Sequence, residues 1–440
     1  MRRTIAVVYA VAAAAGLFAQ GPVSISLKQA MDMAAEQSYS VQYSALEAQK
    51  AESKIKEILA TGLPQISASG SLNNYLKVPT QVIPNFIGDD PPTIEVQFGI
   101  PWSMTGAVQL NQLLFDGTYL VGLKATRELK EKSALDLEKA QHDARSQAAK
   151  AYLSVLAAEE GVRLLGEGLP ILEKSSSDAQ AMLDQGFMES TDVDRLTIQL
   201  ADTRNQQRNL QQQANVARAF LSLVLGLPTG TPLTLTDPLN LLMDDPAEKA
   251  LADQPFSAGQ HIEDQQASSL VRISDLQVSQ QKAAYLPQLS GFINYQQQFN
   301  GEKFTPGDGP WFPASLWGVS LNVPIFSSGM RSSRVKQAKL SMQEAEVNLK
   351  GTEQRLLTEH LQQQAVLKSA QDSYETAKAN MELGQRIFER TSIKFSTGVG
   401  SSFELTQEHA NFLTAQQNYI QSTVNLLQAR EDMRKALDMY

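Results

Sequence analysis

The chain has 440 residues, no cysteine, 38 basic against 47 acidic side chains and a formal charge of −9. That balance leaves no basic surface for a phosphate backbone, so nucleic acid is excluded as a partner. Without cysteine the sequence predicts no disulfide, no thiolate metal site and no lipid-acylated N-terminal cysteine, so the mature protein is held in place by its fold.

In chain order, residues 1–19 read as a secretory signal: Arg2 and Arg3 precede an apolar run from Ile5 to Phe18, which predicts export into a bacterial envelope. A helix is predicted over 24–61, with Ser26 as candidate cap and Gly62 and Pro64 as its stop. Residues 64–78 then alternate, Ile66, Ala68, Gly70 and Leu72 against Gln65, Ser67, Ser69, Ser71 and Asn73, which is the period of a strand. A loop with Pro79, Pro84, Asp89, Asp90, Pro91, Pro92 and Glu95 follows. The alternation returns over 102–115, where Trp102, Met104, Gly106, Val108 and Leu110 oppose Ser103, Thr105, Ala107 and Gln109. Such a run has the length of a membrane-spanning tilted strand, and the two strands are predicted to pair as a hairpin with a long external loop.

Asp116 sits where a helix cap belongs. A helix is predicted from about residue 119 to 184, with a seam of Leu137, Ala140, Ala144, Ala148, Ala151 and Val155, and an irregular zone at Gly161, Gly166, Gly168 and Pro170. At 1.5 Å per residue such a helix is roughly 100 Å long. Gly186 ends it. A second helix starts near Thr191 and Asp192 and carries Val193, Leu196, Leu200, Leu210, Ala217, Phe220 and Val224 on its seam. Residues 231–260 form the connection after a first repeat over 20–230, and the same order returns over 261–440. There, a helix at 261–284 leads to strands at 288–299 and 315–326, a long helix at 330–396, a break at Gly398 and a last helix from 402. Asn111 aligns with Asn322, Phe115 with Phe326, Gly186 with Gly398 and Asp192 with Glu404. In the second organising strand Trp317, Val319 and Leu321 alternate with Gly318, Ser320 and Asn322.

Four membrane-type strands cannot close a barrel, because the smallest membrane barrels need about eight. An open sheet in lipid leaves edge groups unsatisfied, so closure requires other copies: two chains would give eight strands around a filled interior and three give twelve, and the long helices with water on two faces decide for three. The predicted fold is therefore an α+β membrane protein: a tandem repeat whose three copies close a 12-stranded β-barrel and add their long helices to a tube of twelve staves. The glutamines outside the helical seams (Gln199, Gln206, Gln207 and Gln211–Gln213) suit a wall with water on both sides. Trp102, Met104, Val108, Leu110, Trp317, Val319 and Leu321 are predicted to face lipid, and Trp102, Trp311, Phe312 and Trp317 to form an interfacial aromatic girdle.

The duplicated "LPQIS" and "LPQLS", the pair "LNQLLFDG" and "LNVPIFSSG", and the helix-turn-helix "DQGFMESTDVDRLTIQLADT" with its echo "STGVGSSFELTQEHANFLTA" resemble the TolC-like outer membrane efflux protein family from about residue 24 to 440. The resemblance implies a homotrimer in the outer membrane of a Gram-negative bacterium with a periplasmic tunnel. Its implied partners are outer membrane lipid, a periplasmic adaptor protein and an inner-membrane pump. It implies no cofactor and no catalysis. It further implies a periplasmic tip or gate at Gly186, Thr191, Asp192, Gly398, Glu404 and Gln407. The acid ring of the family is carried only in part, since Gln407 stands where a second acid is expected. Gly400 stands where relatives place an arginine against the tip aspartate. The four histidines, His142, His261, His360 and His409, are read as solvent-facing helix residues, and Glu159/Glu160 and Asp244/Asp245 as solvated charges. The sequence thus predicts the exit duct of a tripartite efflux pump. A type I protein-secretion duct and a non-transporting coiled-coil spacer are the alternatives.

Overall fold

The computed structural model describes residues 23–88, 91–243 and 250–440. The signal at 1–19, Asp89/Asp90 and Asp244/Asp245 lie outside them. The described elements are β1 (Val23–Ile25), α1 (Leu27–Gln37), α2 (Tyr39–Ala60), β2 (Gln65–Asn74), β3 (Thr80–Pro84), β4 (Thr93–Gln97), β5 (Trp102–Phe115), α3 (Gly117–Asp184) and α4 (Ser190–Val224). After them come β6 (Leu233–Leu235), α5 (Leu239–Met243), α6 (Ile262–Ala283), β7 (Gln288–Gly301), β8 (Trp311–Asn322), α7 (Met330–Ser396) and α8 (Ser402–Ala436). The order helix, two strands of the main sheet, long helix, shorter helix occurs twice. The chain divides into two compact units, each drawn from both halves: residues 44–137 with 259–355, and the remainder.

The first of these units holds the strands β2–β5, β7 and β8. β2, β5, β7 and β8 make one antiparallel sheet in that order, so β5 and β7 join the hairpins of the two halves. β2 and β8 are its edges, with no strand paired to their outer sides among the described residues. The connection from β2 to β5 carries its own two-stranded hairpin, β3 with β4. Asp116 caps α3 as its sequence position predicts: its Oδ1 accepts from the Thr118 and Tyr119 amides at 2.7 and 3.3 Å.

The second unit is helical apart from the β1–β6 pair. Ala144, Ala148, Ala151 and Val155 of the α3 seam are buried, whereas Leu137 and Ala140 are half-buried. Near the turns that follow α3 and α7, Leu172, Val193, Leu196, Phe388, Phe395, Leu405 and Phe412 form one apolar cluster. Side chains of this size contribute roughly 1.5–3 kcal/mol each when fully buried. A second cluster joins Leu153, Met243, Leu251, Leu367, Tyr374, Leu426 and Met433.

Several expectations are corrected. The helix over 24–61 is two helices: Val23 and Ile25 pair in parallel with Leu233 and Leu235, and Ser38 is extended (φ −62, ψ 146) between α1 and α2. Ser26 does cap α1, in a capping box with Gln29. The first strand stops at Asn74. The last strand begins at Trp311 and ends at Asn322, leaving Val323, Ile325 and Phe326 outside it. Pro324 has no amide to donate, while Pro313 is tolerated inside β8 because β8 is an edge. Phe115 is therefore in a strand and its counterpart Phe326 is not. The irregular zone around Pro170 is helix throughout, held by burial of Leu169 and Leu172 on either side. Phe220, expected on the α4 seam, is exposed.

Candidate functional site

Residues opposite one another in a sheet share a face. The register therefore tests the alternation across all four strands. One face carries the rows Leu72–Met104–Phe299–Trp311, Ala68–Val108–Tyr295–Ser315 and Ile66–Leu110–Ile293–Trp317. Val319 and Leu321 continue it beside Gly291 and Leu289, and Trp102 lies beyond Met104 on the same side. The reverse face carries Ser67–Gln109–Asn294–Leu316 and Ser71–Thr105–Gln298–Phe312. All seven residues expected to face lipid thus lie on one mostly apolar face, which also carries Gln112 and, in the row Gly70–Gly106–Gln297–Pro313, Gln297; Ser103, Thr105, Gln109, Ser320 and Asn322 lie on the other. Trp311 and Trp317 are six residues apart on one strand, about 20 Å at strand spacing. Phe312 falls on the polar face and leaves the expected girdle, because neighbouring strand residues point to opposite sides.

The second group of candidate residues surrounds the two helix turns. Gly186 and Gly398 have φ of +76 and +77, the left-handed conformation expected of them. Their hydrogen bonds match: Gly186 N donates to Leu183 O at 2.9 Å and Phe187 N to Met182 O at 2.8 Å, while Gly398 N donates to Phe395 O and Val399 N to Lys394 O, both at 3.0 Å. Asp192 has two side-chain partners. Its Oδ1 accepts from the hydroxyl of buried Ser402 in α8 and from Arg195 Nη1 at 3.1 Å. Thr191 reaches the Glu189 carboxylate at 3.4 Å. Glu404 lies in the first turn of α8, where its amide donates to the Ser401 cap at 3.1 Å and its carboxylate lies 3.8 Å from Lys394 Nζ. Gln407 donates to Asn411 at 3.2 Å. The Gly400 amide also donates a hydrogen bond to Lys394 O, at 3.0 Å. Ser402 escaped the sequence reading because a serine after a glycine turn signals only a cap.

The histidines are corrected outright. His409 is fully buried between α4 and α7, with Gln199 Nε2 3.1 Å from its Nδ1 and Phe388 at 4.9 Å. Burial holds its pKa down to about 4. His360 is buried against Phe256, and burial lowers its pKa too. His261 caps α6 by accepting from the Glu263 amide. His142 lies 3.0 Å from Asp438. The sequence alone places all four in solvent because helices this polar hide which face is inside. Nor are Glu159 and Glu160 merely solvated: they pair with Arg218 at 2.7 Å and Arg163 at 2.6 Å. Among the described residues no group of histidine and carboxylate side chains is arranged to hold a metal, and no helix is long and apolar enough to cross a membrane.

The model of the outer membrane efflux protein family matches the chain in two stretches, residues 30–227 and 265–438. The probable efflux pump outer membrane protein TtgC of Pseudomonas putida KT2440 is 24% identical over 292 residues, as is the antibiotic efflux pump outer membrane protein ArpC of Pseudomonas putida. Each match takes 66% of this chain and spans only 59% of the relative. Among solved structures, the outer membrane protein VceC of Vibrio cholerae superposes with a TM-score of 0.68 at 14% identity, covering 93% of this chain and 95% of that one. The outer membrane channel CmeC of Campylobacter jejuni gives 0.69 at 16% identity, covering 93% and 85%. The chain belongs to the outer membrane efflux protein family, and its fold is that of these TolC-like channels.

Proposed function

We propose that this chain is one third of the outer-membrane exit duct of a tripartite efflux pump, passing small molecules delivered by an inner-membrane pump and a periplasmic adaptor. The observation that carries the reading is a four-stranded sheet with one mostly apolar face and two edges that no strand pairs among the described residues, in a chain with helices of 68 and 67 residues. Edges of that kind are untenable in lipid and are satisfied when copies join edge to edge. The apolar face, from Trp102, Met104, Val108 and Leu110 to Trp317, Val319 and Leu321, then meets lipid, and the serine- and glutamine-rich face lines the water path. The names of TtgC and ArpC, efflux pump outer membrane proteins, support small molecules as cargo. The protein acts by conduction and transforms nothing.

In this reading Gly186 and Gly398 turn the helices at the periplasmic tip, with Thr191, Asp192 and Glu404 in the first turns that follow and Gln407 about one turn after Glu404. Threefold symmetry brings three Glu404 carboxylates to one constriction, where they attract cations. Single-channel recording in planar bilayers tests this: the protein is expected to conduct with cation preference. Glu404→Ala should weaken both that preference and block by multivalent cations. A protein that conducts nothing contradicts the duct, and unchanged selectivity and block in Glu404→Ala removes Glu404 from the constriction.

A further inference from the structure

We propose that a buried polar column on α8 fixes the axial register of that helix against the first half of the chain. Ser402, His409, Gln416, Thr423 and Arg430 follow one another at intervals of seven residues, and none is more than 4% exposed. Leu405, Phe412, Leu426 and Met433 alternate with them as the apolar half of the same buried stripe. Seven-residue spacing is that of a coiled-coil seam, where a polar residue at a core position selects register at a cost in stability.

Four of the five reach the first half or the connection. Ser402 donates to Asp192 of α4, and His409 bonds Gln199 of α4; both pairs are 210 residues apart, so two successive heptads of the two helices are in phase. One heptad on, Gln416 Nε2 donates to the Leu164 carbonyl of α3 at 3.2 Å. Arg430 Nη1 and Nη2 donate to the carbonyls of Leu242 and Met243, at the end of α5, at 3.0 and 3.1 Å. Thr423 donates to Tyr419 O within α8.

An apolar seam of leucine, alanine and phenylalanine packs nearly as well after a slip of one turn, because dispersion contacts are not directional. The polar column does not. A slip leaves buried donors and acceptors without partners, at about 1–3 kcal/mol for each. His409 contributes as a neutral ring at physiological acidity, since burial holds its pKa to about 4. Its register information is therefore a hydrogen bond and not a charge. The axial position of α8 sets where the turn at Gly398 lies relative to the one at Gly186, so the column settles the geometry of the turns whether or not the protein conducts.

Because the chain has no cysteine, spin labels can be placed only where wanted. Asp202→Cys and Gln417→Cys, both exposed, report the spacing of α4 and α8 by double electron–electron resonance. With the labelled chain co-expressed with an excess of unlabelled chain, so that an assembly carries one labelled pair, a single narrow distance is expected in the parent. In Gln199→Leu/His409→Leu the melting temperature should hold or rise while a second population appears, displaced by about one helical turn, ~5 Å. The exchanged pair Gln199→His/His409→Gln keeps a polar rung and should restore the single distance. An unchanged distance in the leucine pair overturns the proposal, as does an exchanged pair as broad as the leucine pair. A leucine pair that fails to fold also overturns it, since the rung would then serve stability and not register.

Discussion

Gly226 and Gly398 end helices in the same way, with φ of +73 and +77, yet substitution should separate them. A Cβ at Gly226 would stand 2.2 Å from the Gln37 carbonyl oxygen, whereas at Gly398 nothing lies within 4 Å. Gly398→Ala should therefore cost only the left-handed strain, about 1–2 kcal/mol. Gly226→Ala should cost clearly more, because the end of α1 must move as well; thermal unfolding of the two variants gives the order. Two buried titratable residues make a second prediction. His409 titrates near 4 in the fold against an ordinary 6.5, so the unfolded chain binds a proton that the fold refuses, and stability is lost as pH falls through that window. Glu431 is 2% exposed, and burial, only partly offset by the Tyr440 hydrogen bond, pushes it up to about 7 from 4.5. The fold keeps that proton while the unfolded chain loses it, so stability is lost as pH rises from about 4.5 to 7. Unfolding followed against pH should show His409→Gln flattening the acid limb and Glu431→Gln the neutral one. The glycine turns were legible because a left-handed residue after a long helix is signalled by glycine itself. Asp438 does the same work with φ +56, its amide donating to Lys435 O, and nothing in the sequence marks it.

At the scale of the element, the alternation of β2 and β5 was legible because a period of two needs no tertiary information, and the register bears out its faces. The end of β8 was not: Val323 and Ile325 continue the alternation, but Pro324 offers no amide to a ladder, and apolar periodicity alone does not see that. The buried face of α8 was likewise hidden. Ser402, His409 and Gln416 look polar one at a time, and only their seven-residue spacing between Leu405 and Phe412 betrays a core position. The strand faces carry a direct test. Arg at Val108 should cost about 2–4 kcal/mol if the site lies near the bilayer midplane, whereas Arg at Gln109, one residue on, should cost little. Equilibrium unfolding in lipid vesicles compares them, and equal penalties would reverse the faces.

At the scale of the whole molecule, the four-stranded sheet is the decisive element. Its strands alternate like those of a membrane barrel, yet four cannot close, and β2 and β8 keep their outer hydrogen-bonding groups unpaired among the described residues. The helices add exposed apolar side chains such as Ile198, Val216 and Val347, which are 63%, 69% and 69% exposed in the single chain and would gain cover in the proposed assembly. Both features point to closure by copies of the same chain, with three giving twelve strands. The measurement that tests this most directly is the mass of the folded protein in detergent, by native mass spectrometry or light scattering corrected for bound detergent. The account predicts three chains and no stable smaller species; a folded, stable monomer would contradict it.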